Sequence, residues 1–304
     1  MAWRSISRGL LAVLLLAGAA CGPGGGGPPP AATLPEGTVP CRPSAHPAAT
    51  GKAGFTPPTR QEGEVTVLPL VFPDGTTAEL RYPPELDLAG LGVWPGTSGA
   101  LGDAPGTGRD LLVVHGDVDG LTAGTAPVAC YRGAGGGRVE LWRSQDPGVR
   151  YWLVFRFGAW TVALWDGNAG RLLGHLDRAA WAASLVGRET GSGWLLLRGG
   201  RPLRLGPEHE GDVRLRLGDV SPRAVLLWPV RCRPPRRPGT ATIGGHAVDV
   251  AVGREWFASY CLPKAPMSVH VHDSDGAFGR AVVEGLQVRG VRHAFPPGRY
   301  HIVP

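Results

Sequence analysis

The sequence predicts an α+β, mostly β fold: a larger antiparallel-sheet domain with one main helix, followed by a small C-terminal β unit. Three observations carry this. Gly (48) and Pro (30) make up about a quarter of the 304 residues, which works against long helices and favours short strands joined by turns. Two stretches read as β-hairpins with turn chemistry of their own. A single segment, starting near Asp177, has helical spacing with a cap. The chain is 43% hydrophobic and 18% charged, so it can bury a sizeable core and is neither a helical bundle nor a disordered chain.

In chain order, residues 1–20 come first. Arg4 and Arg8 precede an apolar run, Leu10 to Ala20, that ends in small side chains, the layout of a secretory signal peptide. Eleven helical residues reach roughly 16 Å, about half of a bilayer's hydrocarbon core, so the run is too short for a permanent span. Residues 21–60 read as a Gly/Pro-rich tether, with GPGGGGPPP directly after Cys21. Two proposed domains follow, 61–232 and 240–304.

Within the first, Val65 to Phe72 and Thr76 to Tyr82 flank Pro73-Asp74-Gly75. There Pro presets its φ and Gly supplies positive φ, so a hairpin is expected. Pro69 places the first of these strands at an edge or a bulge. A short helical turn is expected over Glu85 to Leu88, a Gly/Pro-rich loop over 95–109, and a buried strand from Asp110 to Val114. The clearest hairpin is Arg150 to Trp165, with Gly158-Ala159 as a type II′ turn. Tyr151, Leu153, Phe155 and Phe157 share one face of its first strand, and Trp160, Val162 and Leu164 one face of its second.

The main helix is then expected from Asp177 as cap to Val186, with Trp181 and Leu185 stacked at i and i+4 and Gly187 as the stop. Strands follow at Trp194 to Arg198, Val213 to Leu217 and Ala224 to Val230. RCRPPRRPG at 231–239 breaks the pattern and marks a boundary. The C-terminal unit offers strands at Ala241 to Ile243, Ala247 to Val252, Ser268 to His272 and, irregularly, Ala281 to Val291. A core this small needs a staple or a neighbour. No internal repeat is evident.

Residues 16–22, Leu-Ala-Gly-Ala-Ala-Cys-Gly, resemble the lipobox of bacterial lipoproteins, in which the Cys becomes the acylated first residue. Gly18 stands three residues before Cys21 where Leu is usual, which leaves cleavage at an A-x-A-like site, and secretion, as the alternative. The cysteine count favours the lipobox: with Cys21 acylated, Cys41, Cys130, Cys232 and Cys261 remain to pair in an oxidising compartment. Four cysteines allow three connectivities. Of these, Cys41 with Cys130 and Cys232 with Cys261 is the favoured set. All but two basic residues are Arg, and the stretch WDGNAGRLLGHLDRAAWAASLVGRET is similar to uncharacterised lipoproteins of high-GC Gram-positive bacteria. That resemblance implies a place in the cell envelope and no established activity.

The formal charge of +6, with 31 basic against 25 acidic residues, is a mild excess and argues against a nucleic-acid partner. Phosphate-loop, zinc-protease, CxxC and dinucleotide-binding motifs are absent from the sequence. Gly96-Thr97-Ser98-Gly99-Ala100 is the nearest string to a nucleophile elbow, but Ala replaces the last Gly and no helix follows. His115, Asp117 and Asp119 would share an edge if the strand before them continued, and could hold a cation or serve a nonstandard hydrolase site; an Asp/Gly turn is the plainer reading. His272-Asp273-Ser274-Asp275-Gly276 lacks the Glu of a calcium loop and reads as a turn.

Five of nine histidines lie in the last 59 residues. Those at 270 and 272 project together from one strand, and with His293 or His246 they form a candidate zinc or copper set, though two surface histidines are commonly just polar surface. Six of ten tryptophans fall between 142 and 194. Trp160 and Trp181 sit on apolar faces and belong to a core, whereas Trp152 and Trp165 are candidates for exposure to glycan. Arg231, Arg233, Arg236 and Arg237 read as a solvated linker that could also meet anionic headgroups or wall polymers. The sequence thus leads to an exported, lipid-anchored envelope protein: a non-catalytic binding or accessory module with no cofactor, and with wall glycan or an envelope protein as partner. An envelope hydrolase and a metal-binding protein are the alternatives.

Overall fold

A computed structural model describes residues 35–41, 54–102, 108–116, 122–123, 126–146, 148–166, 172–205, 213–218, 222–230, 240–253, 255–262 and 265–294. The fold is mostly β with α, built on one long antiparallel sheet.

The chain opens with β1 (Arg60–Glu62), β2 (Val65–Val71) and β3 (Thr77–Tyr82). The β2–β3 turn forms as expected: Gly75 has φ +90°, and Asp74 accepts hydrogen bonds from the Thr76 amide and hydroxyl, both at 2.9 Å. A 3-10 turn over Pro84–Leu86 leads into β4 (Val93–Leu101), where a loop was expected. Its glycines serve packing instead. A Cβ on Gly99 would meet Trp181 at 2.9 Å, and one on Gly96 would meet Arg214 at 2.7 Å.

Then come β5 (Arg109–His115), β6 (Thr122–Ala123), β7 (Ala129–Arg132) and β8 (Arg138–Ser144). The expected hairpin is next, as β9 (Tyr151–Phe157) and β10 (Trp160–Asp166), with Gly158 at φ +64°. Leu153, Phe155, Trp160, Val162 and Leu164 are fully buried, each contributing about 1.5–3 kcal/mol.

Helix α1 (His175–Ser184) starts two residues before the expected cap. Gly174 is the cap residue, and Asp177, three positions in, accepts the Gly174 amide at 3.1 Å. Gly187 is no helix stop. It lies in β11 (Leu185–Glu189), where a Cβ would collide with the Phe157 ring. After β12 (Leu195–Gly199), β13 (Leu203–Leu205), β14 (Val213–Leu217) and β15 (Arg223–Trp228), the C-terminal strands are β16 (Ala241–Ile243), β17 (His246–Val252), β18 (Trp256–Leu262) and β19 (Met267–Asp273).

Residues 281–291 are not one irregular strand. They hold the end of a second helix, α2 (Ala277–Gly285), and most of β20 (Gln287–Arg292). Phe278, Val282, Val283 and Leu286 bury a helix-spaced stripe, and Gly279 admits the Trp256 ring, with which a Cβ would collide.

The long sheet runs β16-β17-β18-β19-β15-β14-β4-β5-β10-β9-β8, with β6 and β7 both beside β8. The C-terminal strands therefore join the larger sheet edge to edge through the β15–β19 ladder, and the compact unit containing every described residue is Pro35–Pro304. The order reads the same outward from the central β4–β14 pair: β5, β10, β9, β8, β7 one way and β15, β19, β18, β17, β16 the other. The second strand outward from the central pair on each side leads into a helix, β10 into α1 and β19 into α2. The strand after each helix then pairs with the other half, β11 with β12 and β20 with β3. The central register, Val93 on Leu217 and Thr97 on Val213, is symmetric about Pro95 and Leu215.

Matching the ladders puts Trp160–Asp166 on Met267–Asp273, Tyr151–Phe157 on Trp256–Leu262, and Arg109 on Arg223. Two related halves thus compose the sheet. No repeat was evident in the sequence because β10 and β19 share only Val162/Val269 and Asp166/Asp273.

The matched aspartates are both buried where a strand gives way to a helix. Asp166 accepts the Leu173 amide at 2.8 Å and Arg178 Nη2 at 2.7 Å. Asp273 accepts the Gly279 amide at 2.9 Å, and its other oxygen is 3.8 Å from Arg223 Nε.

At the N-terminal end, Cys41 is bonded to Cys130, as the sequence favoured. Residues 37–39 run alongside β7: the Val39 amide donates to Cys130 O at 2.9 Å and the Arg132 amide to Gly37 O at 3.0 Å. Phe55 is buried against Trp160 and Trp194. Parts of the 21–60 stretch therefore pack onto the body. Cys261 is likewise disulfide-bonded; Cys232, Cys21 and the arginines at 231, 233, 236 and 237 lie outside the described residues. No helix among the described residues is long and apolar enough to cross a membrane.

Candidate binding face

Alternation along the strands sends one face of the long sheet into the core and turns the other outward. Val162 and Leu164, like Val269 and Val271, point into the main core, so Ala163, Trp165, His270 and His272 point out. In the first half, Trp142, Trp152 and Trp165 stand abreast on β8, β9 and β10 in direct register. The rings of Trp152 and Trp165 are 6.1 Å apart. With Val149, Val154, Ala163 and Val114 they form a second, smaller apolar cluster.

Of the two tryptophans expected to be exposed, Trp152 is buried (6% exposed) and Trp165 half-buried. The cause is local: Val149, just before β9, packs into the cluster, and Trp152 Nε1 donates to Ser144 Oγ at 3.0 Å. Trp142 Nε1 donates to Glu140, which Arg138 also holds at 2.9 Å. Trp160 and Trp181 are fully buried core residues, as expected.

The corresponding place in the second half carries Trp228, Phe257, Ser259, Ser268, His270 and His272. Trp228 meets the His270 ring edge-on at 4.3 Å, and Phe257 touches both imidazoles, at 5.7 Å and 4.8 Å. Ser268 Oγ lies 3.1 Å from His270 Nε2. Burial first, and the neighbouring His272 second, lower the His270 pKa to about 4. His270 is thus neutral at physiological pH and a weak general base for Ser268.

The other candidates are dispersed. His246 lies on the core side of β17, beside Tyr260 at 5.4 Å, and burial pushes the Tyr260 phenol up. His293 sits by the β2–β3 turn, near Asp74. Neither joins the pair on β19, and no group of three metal-ligating side chains converges among the described residues. His115 packs against Phe55 and Trp160 at 5.6 Å and 5.1 Å on the core side of β5; Asp117 and Asp119 lie outside the described residues. Ser98 is in mid-strand on β4, registered with Asp110, and not on an elbow. Asp275, in the turn before α2, accepts the Ala277 amide, which holds its carboxyl below the usual range.

What sequence reasoning missed is the pairing of the two outer patches. The signal was present, since Ala163/His270 and Trp165/His272 occupy matching positions, but it becomes visible only once the ladders are aligned. No protein-family description, no curated protein and no solved structure matches this chain.

Proposed function

We propose that this is an exported protein, held by an acylated Cys21 on the outer side of the cell membrane, that acts as a non-catalytic binding or accessory module through the outer face of its long sheet. The observation that carries this reading is oxidised cysteine: Cys41 is bonded to Cys130 and Cys261 is also bridged, a state that persists in oxidising compartments. It fits the leader-like residues 1–20 and the cysteine arithmetic.

A binding role is favoured over catalysis by the surroundings of the candidate nucleophile and bases. Ser98 is held in a ladder, His115 lies among aromatic rings, and His270 is a weak base. The outer face offers aromatic rings and half-buried polar groups, a chemistry suited to a wall glycan or to another envelope protein.

Intact-mass measurement of protein from the native membrane, with and without reductant, tests the proposal. The expected species begins at Cys21, carries acyl chains and gains two hydrogens per bridge on reduction. A cytosolic species retaining Met1, with every thiol free, would overturn it.

A further inference from the structure

The two halves of the sheet differ on one face in a concerted way. On the core side the matched positions stay apolar, Val162 with Val269 and Leu164 with Val271. On the outer side Ala163 gives way to His270, Trp165 to His272, Val154 to Ser259, and Val114 to Trp228. The first set closes into an apolar cluster under Val149. The second holds two imidazoles, neither of them fully buried.

Residues two apart on a strand project to the same side with Cβ atoms about 6.6 Å apart, a span that two imidazoles close around one ion at metal–nitrogen distances of about 2.0–2.1 Å. The rings are already restrained, since Phe257 touches both and Trp228 abuts His270. Ser268 supports His270 at 3.1 Å. With Nε2–H donating to that hydroxyl, Nδ1 keeps its lone pair for a metal, the usual arrangement around a ligating histidine. Asp273, next along the strand, is committed to α2 on the opposite face.

We propose that His270 and His272 form an exchangeable site for a divalent transition metal, two protein nitrogens completed by water, with copper(II) bound most tightly of the common ions. This site does not depend on where the protein resides, so its test and that of the envelope reading fail separately.

The experiment titrates the untagged, disulfide-intact chain with copper(II) chloride against a weak competing chelator. It follows stoichiometry, electron paramagnetic resonance and tryptophan emission. One equivalent binds, the spectrum shows two equatorial nitrogens, and part of the emission is quenched in the parent but not in Trp228→Phe. His270→Ala and the milder His272→Asn each weaken binding at least tenfold with unchanged circular dichroism, while His246→Ala has no effect. Absence of saturable binding at one equivalent would overturn the site. So would unchanged affinity in the His270→Ala/His272→Ala double variant, or a loss of His246 that weakens binding as much.

Discussion

Removing the Cys41–Cys130 bridge, by Cys41→Ser with Cys130→Ala, should lower stability by an amount set mainly by the loop it closes. The cysteines are 89 residues apart in sequence. On the chain-entropy model a loop of that size is worth about 4.6 kcal/mol at 25 °C. A folded body of roughly 260 residues unfolds with an entropy near 0.55 kcal/mol/K, so the shift in melting temperature is about 8 °C. Cys130 is buried, and truncating it adds a small cavity cost; Cys130→Ala alone, compared with Cys41→Ser alone, separates that contribution. Calorimetry of the parent and the three variants provides the measurement. If Cys41→Ser melts within about 2 °C of the parent, or if reductant leaves the parent's melting unchanged, residues 35–41 are not stapled to β7 and the argument fails.

Three further outcomes follow from the geometry. Asp166→Asn breaks a buried pair with Arg178 at 2.7 Å and should cost about 3–5 kcal/mol in urea unfolding. Asp273→Asn should cost less, because Arg223 is 3.8 Å away and half exposed; equal losses would refute this account of the two sites. Gly279→Ala drives a methyl into the Trp256 ring and should destabilise by about 1–3 kcal/mol, with a shift in tryptophan emission that Gly245→Ala, at an open turn position, does not produce. His270 carries the pH prediction. Its folded pKa is near 4 against an ordinary 6.5, so the unfolded chain binds the extra proton between these values. Stability present above pH 6.5 is lost as pH falls toward 4, by up to about 3 kcal/mol. His270→Asn should flatten the unfolding-energy profile over that window relative to the parent, and an unaltered difference across it would refute the assignment.

The β-rich class and the two hairpins were legible because their signals are local: Asp74-Gly75 fixes one turn, Gly158 the other, and alternation assigns the faces. The Cys41–Cys130 link was legible in part from parity, which left four cysteines to pair. β4 was not, since Pro95, Gly96 and Gly99 are loop residues by composition and become strand residues through the packing of Arg214 and Trp181 against the glycines. Helix α2 was obscured by Gly279 and Val282-Val283, which weaken helix propensity while the buried stripe compensates. Of the candidate site, the shared face of His270 and His272 follows from alternation alone. The separation of His293 and His246 from them, and the closing of the tryptophan row by Val149, depend on tertiary contacts that no spacing rule reports.

The cross-pairing of the halves bears on how the chain reaches this state. Leu80 on β3 lies beside Val288 on β20, so the earlier strand waits for one made about 200 residues later. That ladder cannot zip until the later strand exists, and contacts so remote in sequence form slowly. The β3 edge therefore stays unpaired while the whole of the long sheet is being made, so the smaller sheet is completed only after the larger one has its strands.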